Sequence, residues 1–264
     1  MMKYEDIAVG RAGRIGTLTL NRPEKGNTLR PQTLAEICAG LDELTADPDV
    51  GVIVLDAAGK HFCAGADFSF LDDLTQMPAS DIKAQIYKHF QGAAKRLYQC
   101  PKPTLALVQG AAVTVGCELA LACDFRIVAE NAFFQESWIK LGIMPPLGGL
   151  FLLPRLVGLG RAAQMVLLGQ AVKAEEAGRI GLAGEIVAVD TLADRGSAFA
   201  KDLAAIAPLA YASVKEGLHR GLETSMEAEW SSNLLNQAIL LGTEDFKEGL
   251  AAVKGKRPPV FAGR

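Results

Sequence analysis

The distribution of apolar residues divides the first half of the chain into short strands separated by helices. Residues 4–9 and 14–20 alternate between apolar and polar positions, as half-buried strands do, and residues 10–13 are predicted as the turn between them. Three further segments are almost continuously apolar, which is typical of strands covered on both faces: residues 50–55, 104–108 and 124–128. The order of strand, helix and strand predicts an α/β core with mainly parallel pairing.

Helical spacing of apolar residues predicts three helices between these strands, over residues 31–45, 80–98 and 116–122. Pro31 suits the first turn of a helix, where its missing N–H has no partner to lose. The helix predicted over residues 80–98 places four apolar side chains near one face: Ile82, Ile86, Phe90 and Leu97.

After Asp190 the pattern is helical throughout, which predicts four more helices: residues 191–206, 209–220, 223–241 and 243–253. We therefore divide the chain into an α/β core at residues 1–200 and a helical region at residues 201–264.

Composition and charge disfavour several classes of protein. The formal net charge of −3 argues against a nucleic-acid-binding surface. Residues 1–10 lack the apolar segment of a signal peptide, and the longest apolar stretch, residues 104–123, contains Glu118, which disfavours a membrane span. The five cysteines form no CxxC pair, and the histidines have no metal-ligand spacing: His61, His89 and His219. We therefore expect a cytoplasmic protein with reduced thiols and no metal.

Two turns of small residues follow predicted strands, at residues 62–67 and 109–118. Ligands of open α/β sheets bind at the carboxyl ends of the strands, and small residues let a ligand approach the main chain. Two amide N–H groups that converge from such turns can hold a carbonyl oxygen on which negative charge develops. The residues alone leave open whether these are binding loops or tight turns between packed elements.

The ordered set of motifs resembles the enoyl-CoA hydratase/isomerase (crotonase) family over essentially the whole chain. The motifs are Asn-Arg-Pro-Glu-Lys at 21–25, Phe-Cys-Ala-Gly-Ala-Asp at 62–67, Gly-Cys-Glu-Leu-Ala at 116–120, Gly-Gly at 148–149 and Leu-Pro-Arg-Leu-Val-Gly at 153–158. The resemblance implies a spiral of ββα units and a helical C-terminal region that forms homotrimers, often paired into hexamers. It also implies an acyl-CoA thioester as substrate, with coenzyme A as part of the substrate and no separate cofactor.

The resemblance implies that the backbone N–H groups of Ala66 and Val115 form an oxyanion hole. The family's usual Gly-Gly is replaced here by Thr114-Val115, whose bulk is expected to narrow the acyl pocket or tilt the second donor. The positions implied for coenzyme A are Lys25, Ala64, Asp67, Phe68 and, across a subunit boundary, Lys256. The two lysines suit phosphate as point charges, but solvated surface charges are the alternative.

Glu118 matches the first of the two glutamates that hold water in hydratases of this family. It lies in an apolar segment, where burial is expected to raise its pKa. The second glutamate position is occupied by Trp138, which cannot transfer a proton and is expected either to pack in the core or to form a wall of the acyl pocket. Related enzymes that act on aryl rings also carry an aromatic residue there, but Pro146 replaces their catalytic aspartate.

Glu136 is the alternative second carboxyl. If residues 136–138 are extended, Glu136 points to the same side as Trp138 and can reach the site. If a helix begins there, Glu136 points elsewhere and is a surface or capping residue.

We expect an enoyl-CoA hydratase, a lyase that adds water to a 2-enoyl-CoA through an enolate. An enoyl-CoA isomerase is the alternative, since one glutamate can move a proton between carbons. The missing second glutamate also leaves open a non-catalytic binder of CoA esters, whereas the near-neutral charge disfavours an RNA-binding relative.

Overall fold

The computed structural model describes residues 3–85, 88 and 90–264. Two residues used in the sequence predictions, Ile86 and His89, lie outside the described residues. Nine strands lie in the part of the chain that the structure describes: β1 (Ile7–Ala12), β2 (Ile15–Leu20), β3 (Val52–Ala57), β4 (Thr104–Val108), β5 (Ala111–Val113), β6 (Phe125–Ala129), β7 (Phe133–Gln135), β8 (Ala171–Lys173) and β9 (Glu185–Val187).

Helices make up much of the rest of the described chain. They are α1 (Pro31–Ala46), α2 (Phe68–Thr75), α3 (Ala79–Gln85), α4 (Gln91–Tyr98), α5 (Val115–Ala122), α6 (Gly149–Val157), α7 (Leu159–Leu167), α8 (Ala174–Arg179), α9 (Leu192–Ala204), α10 (Pro208–Gly221), α11 (Met226–Leu241) and α12 (Glu244–Gly255). None of the helices in the described ranges combines the length and the apolar character needed to cross a membrane.

The strands form two sheets. The larger has six strands in the order β1-β2-β3-β4-β6-β9, and the smaller has the order β5-β7-β8. The β1–β2 pair is antiparallel, and every other pair in the larger sheet is parallel. Units such as β4-β5-α5 place their first strand in the larger sheet and their second in the smaller one. This is the predicted α/β fold, a spiral of ββα units followed by C-terminal helices.

The three apolar strands are covered on both sides, as predicted. Val52 and Val54 of β3 pack with the neighbouring strands against α9, through Leu203 and other residues of that helix. Ile53 and Leu55 point to the opposite side and belong to the main core. Residue 200, where the predicted division falls, lies inside α9; the division itself stays a prediction.

Two local predictions are wrong. β1 extends to Ala12, and the turn before β2 lies at Gly13, whose φ of +59° is left-handed and suits glycine. The helix predicted over residues 80–98 is divided into α3 and α4. Of these two, α4 buries residues such as Leu97 against α1 and α5, whereas α3 has no buried residue, so the segments have different surroundings.

We expect Gly196→Ala to lower the free energy of unfolding by about 1–3 kcal/mol through overpacking. A Cβ at this position of α9 would lie 2.5 Å from Cδ1 of Leu107 on the sheet. Gly160→Ala in α7 is the control, because nothing lies within 4 Å of its Cβ and alanine favours a helix by about 1 kcal/mol. Urea unfolding measures both variants; if Gly196→Ala is as stable as Gly160→Ala, α9 does not pack closely on the sheet.

Candidate active site

The two small-residue turns identified in the sequence pack directly against each other. Cys63 donates its N–H to the carbonyl of Ala111 (2.8 Å) and accepts from the N–H of Val113 (2.9 Å). A Cβ on Gly116 would lie 2.5 Å from the Cβ of Cys63, so only glycine permits this approach. The turns are therefore close enough for their main chains to contact one ligand.

The two predicted donors lie at the ends of these turns. Val115 is the first residue of α5, so its N–H has no acceptor within the helix. Within the described chain, neither this N–H nor that of Ala66 donates to a protein group. The residues before the donors are neighbours, since a Cβ on Gly65 would lie 2.7 Å from Oγ1 of Thr114. Both N–H groups therefore lack an acceptor within the described protein, as the donors of an oxyanion hole do.

Glu118 lies in α5, all of whose residues are buried, and is itself 1% exposed. Its Oε1 accepts from the N–H groups of Leu147 (2.9 Å) and Gly149 (2.8 Å). Burial raises its pKa to about 7, and the bonds from Gly149, Leu147 and Trp138 partly oppose this effect. A carboxyl with a pKa near the ambient pH is suited to both accept and donate a proton.

Trp138 is 2% exposed and donates its indole Nε1–H to Oε2 of Glu118 (3.3 Å). Sequence reasoning considered only packing and pocket-wall roles for this residue. The missed signal was general: a buried tryptophan usually finds an acceptor for its N–H. Trp138 therefore orients the carboxyl group of Glu118.

The amide donors of Leu147 and Gly149 were also missed by sequence reasoning. They lie in the segment that leads into α6, where a Cβ on Gly149 would lie 3.1 Å from Oε1 of Glu118. The Gly-Gly pair at 148–149 was the one available signal that a main chain passes close to another group here.

Glu136 points inward, although residues 136–138 are not extended throughout. Ser137 has φ −93° and ψ 15°, and a short 3₁₀ helix begins at Trp138. Ala132, Phe134, Glu136 and Trp138 are nevertheless all buried, while the residues between them are partly exposed. The surface or capping alternative is therefore wrong, since Glu136 is 0% exposed. Neither of its carboxyl oxygens has a hydrogen-bond partner among the described residues.

The pKa of Glu136 is raised well above its ordinary value, first by burial and then by the charge of Glu118, while the neighbouring Cys117 thiol opposes the rise. These effects favour the protonated form of Glu136. The surroundings of the two carboxyls differ, because three N–H groups donate to Glu118 whereas no N–H group donates to Glu136 among the described residues.

Four positions implied for coenzyme A, Lys25, Ala64, Asp67 and Phe68, lie at or beside the turn at residues 62–67, and we call these four residues the rim. Ala64 donates its N–H to the carbonyl of Gly26 (2.9 Å), which places Lys25 beside the turn. Asp67 caps α2 by accepting from Ser69 N–H (3.1 Å), and pairs with Arg22 (3.3 Å). Lys25, Ala64 and Phe68 are exposed.

Lys256 is exposed and follows the last residue of α12 as its C-cap. In the ranges that the structure covers, no hydrogen bond or ion pair joins it to the rim at Lys25.

A cavity of about 240 Å³ borders the segment that holds Glu118. Its lining is mainly apolar and includes two charged residues, Lys95 and Glu223. The other lining residues are Ala94, Tyr98, Ala122, Leu147, Gly148, Phe151 and Leu152. A second cavity of about 520 Å³ shares Tyr98 with the first and extends to Lys215 and His219 of α10.

Metal-ligating residues do not cluster in this site. Among the residues described, no three His, Cys, Asp or Glu side chains come together as the ligands of a metal ion would. His61 instead accepts a hydrogen bond at Nδ1 from the N–H of Ala111 (3.1 Å).

We expect Trp138→Phe to raise the pKa of Glu118 above its value of about 7, because the indole bond favours the ionised form. A ¹³C NMR titration of glutamate carboxyl carbons measures this, with Glu118→Gln assigning the signal. Trp230→Phe is the control, since Trp230 is 62% exposed on α11. An unchanged titration in Trp138→Phe would contradict the role of the indole.

We expect Glu136→Gln to gain stability relative to the wild type as the pH rises above about 4.5. The folded wild type holds the Glu136 proton more tightly than the unfolded chain does, so this carboxyl makes folding less favourable as the pH rises, and glutamine removes the effect. Urea unfolding at pH 5 to 8 measures the difference. It should stay flat for Glu130→Gln, whose side chain is exposed; a flat difference for Glu136→Gln as well would rule out a neutral Glu136.

The enoyl-CoA hydratase/isomerase family model matches residues 10–264, which confirms the resemblance seen in the sequence. A Mycobacterium bovis protein named "Probable enoyl-CoA hydratase echA8" is 37% identical over 100% of both chains. The crotonyl-CoA hydratase of Syntrophomonas wolfei is 34% identical over 100% of both chains. The crystal structure of an enoyl-CoA hydratase from Bacillus anthracis has a TM-score of 0.91 at 31% identity, covering 98% of this chain and 100% of that one. The chain therefore belongs to the enoyl-CoA hydratase/isomerase family.

Proposed function

We propose that the protein is an enoyl-CoA hydratase that adds water to a 2-enoyl-CoA. The observation that carries the proposal is a buried carboxyl with a pKa of about 7, Glu118, one turn after a helix N-terminus whose first N–H is available. The N–H groups of Val115 and Ala66 would hold the thioester oxygen. The positive end of the α5 dipole favours the negative charge that develops there.

In the proposed reaction Glu118 accepts a proton from water as the water oxygen bonds to the β-carbon. The electron pair of the double bond moves through the α-carbon onto the thioester oxygen and forms an enolate. Glu118 then returns the proton to the α-carbon, which restores the carbonyl. Glu118 can perform both transfers alone, because its pKa of about 7 leaves both of its forms populated.

Glu136 is the proposed second carboxyl. It is buried, its oxygens have no partner in the described chain, and its pKa responds to the charge of Glu118. In this two-carboxyl version, protonated Glu136 gives its proton to the α-carbon, and Glu118 passes the proton that it took from water to Glu136.

An isomerase is the second candidate, favoured by Trp138 in place of a carboxyl opposite Glu118. Moving a double bond requires one base to remove a proton from one carbon and return it to another. A single carboxyl oriented by three N–H donors is sufficient for that chemistry.

We further propose that the rim at Lys25, Ala64, Asp67 and Phe68 binds coenzyme A and that Lys256 reaches it from a neighbouring subunit. The 240 Å³ cavity beside Leu147 is proposed to receive the acyl group. Trp138, which donates to Glu118, is proposed to contact the reacting end of that group. The reaction requires no separate cofactor.

A homotrimer, alone or paired into a hexamer, is the proposed assembly. Large apolar side chains are exposed on α10, α11 and α12, namely Leu218, Met226, Trp230, Leu234, Leu235, Ile239 and Val253. Their exposure supports burial of these helices against other subunits. We propose a cytoplasmic location, supported by five cysteines without disulfide bonds. The small net charge supports the absence of a nucleic-acid partner.

Incubation with crotonyl-CoA tests the proposal, and we expect loss of the conjugated-enoyl absorbance. The rate should increase with pH through about 7, since ionised Glu118 is the base. Glu118→Gln should lower kcat by at least about 100-fold, whereas Glu130→Gln, an exposed glutamate on the same chain, should not.

A 3-enoyl-CoA separates the two candidates. Appearance of conjugated absorbance from this ester, without loss from crotonyl-CoA, would replace the hydratase by the isomerase. A third outcome is that the protein binds both esters, turns over neither, and binds them equally well after Glu118→Gln. The protein would then be a non-catalytic binder of CoA esters.

A further inference from the structure

Thr114 adopts a backbone conformation that residues with a branched side chain rarely occupy. Its φ is +49° and its ψ is −111°. Lys256 also has a positive φ, but its ψ of 44° places it in the left-handed helical region that other residues do visit. Thr114 lies outside that region, in a conformation that glycine adopts freely and threonine adopts only at a cost in free energy.

The main chain of Thr114 is fixed between β5 and α5. Its N–H donates to the carbonyl of Gln135 (2.7 Å), and its carbonyl accepts from the N–H of Glu118 (3.0 Å). Both bonds are made by backbone atoms, so glycine would form them without strain. The turn itself therefore does not require a threonine.

The threonine hydroxyl also lacks a partner in the protein. Thr114 is 6% exposed, and its Oγ1 takes part in no hydrogen bond within the described chain. Thr114 Oγ1 is not one of the fully buried side-chain oxygens, so it keeps some contact with solvent. Backbone strain and a hydroxyl that is open to a partner outside the protein thus occur in one residue. Such a combination is expected where a side chain serves a ligand.

The position of the hydroxyl indicates which ligand atom it serves. Oγ1 would lie 2.7 Å from a Cβ on Gly65, the residue that precedes Ala66, while Thr114 itself precedes Val115. The hydroxyl therefore lies close to Gly65, so it is near the residues that precede both proposed oxyanion donors.

We propose that the Thr114 hydroxyl donates a third hydrogen bond to the thioester oxygen of the substrate. The inference rests on the proposed acyl-CoA function. An enolate oxygen accepts three donors, and hydrogen bonds to charged acceptors are stronger than those to a neutral carbonyl. The hydroxyl consequently stabilises the enolate more than the bound substrate and acts on kcat more than on KM.

Thr114→Val and Thr114→Ser separate the hydroxyl from the shape of the side chain. Valine keeps the branching, and with it the strain, but removes the hydroxyl; serine keeps the hydroxyl. We expect Thr114→Val to lower kcat for crotonyl-CoA by about 10- to 100-fold, with a smaller change in KM. Thr114→Ser should retain most of the rate, and Thr114→Gly should be more stable to urea but slower.

An infrared measurement tests the same bond without turnover. Butyryl-CoA labelled with ¹³C at the thioester carbonyl has no double bond to hydrate, and each donor lowers its carbonyl stretching frequency. We expect the carbonyl frequency of bound butyryl-CoA to be lower in the wild type and in Thr114→Ser than in Thr114→Val.

Equal frequencies and equal kcat values in the wild type and Thr114→Val would overturn the proposal, as would equal losses in the valine and serine variants. If the wild type binds butyryl-CoA but transforms neither enoyl ester, the hydratase and isomerase proposals fail, while the infrared difference still decides the role of Thr114. If it binds no acyl-CoA, both proposals fail.

Discussion

A carboxylate inside an apolar helix is destabilising unless hydrogen-bond donors reach it, and this constraint organises the centre of the protein. α5 is buried along its whole length, and Glu118 lies in its middle. The donors come from the indole of Trp138 and the main chain at Leu147 and Gly149. Because one side chain binds all three, α5, the segment after β7 and the start of α6 are held in a fixed arrangement.

The same donors make the surroundings of the two buried carboxyls, Glu118 and Glu136, different. Glu118 is surrounded by N–H groups that favour its ionised form, and its pKa stays at about 7 despite burial. Glu136 has no such groups among the described residues, and burial raises its pKa well above the ordinary value. Two residues of one type, eighteen positions apart, thus have pKa values that are shifted by different surroundings.

The main chain near Glu118 is specified by residues that allow close approach. Gly116 lets α5 begin against Cys63, and Gly65 leaves room for the side chain of Thr114. Thr114 itself stands where a glycine would be unstrained. Close packing therefore accounts for the two glycines, whereas no contact in the described chain accounts for the strained threonine.

The sequence by itself determined the elements whose pattern is local. Continuous apolar runs predicted β3, β4 and β6, Pro31 marked the start of α1, and the late helices followed from their spacing. Family motifs added the expected donors and Glu118. Three-residue strands such as β5 and β7 were missed because so short a segment has no recognisable period.

Only the tertiary structure decided the direction of Glu136 and the partners of Glu118. The local sequence allowed both an extended and a helical path at residues 136–138, with opposite consequences for Glu136. The donors to Glu118 lie 20, 29 and 31 residues further along the chain. Periodicity describes neighbours along one element, whereas these contacts arise from the packing of separate elements, so no local pattern specifies them.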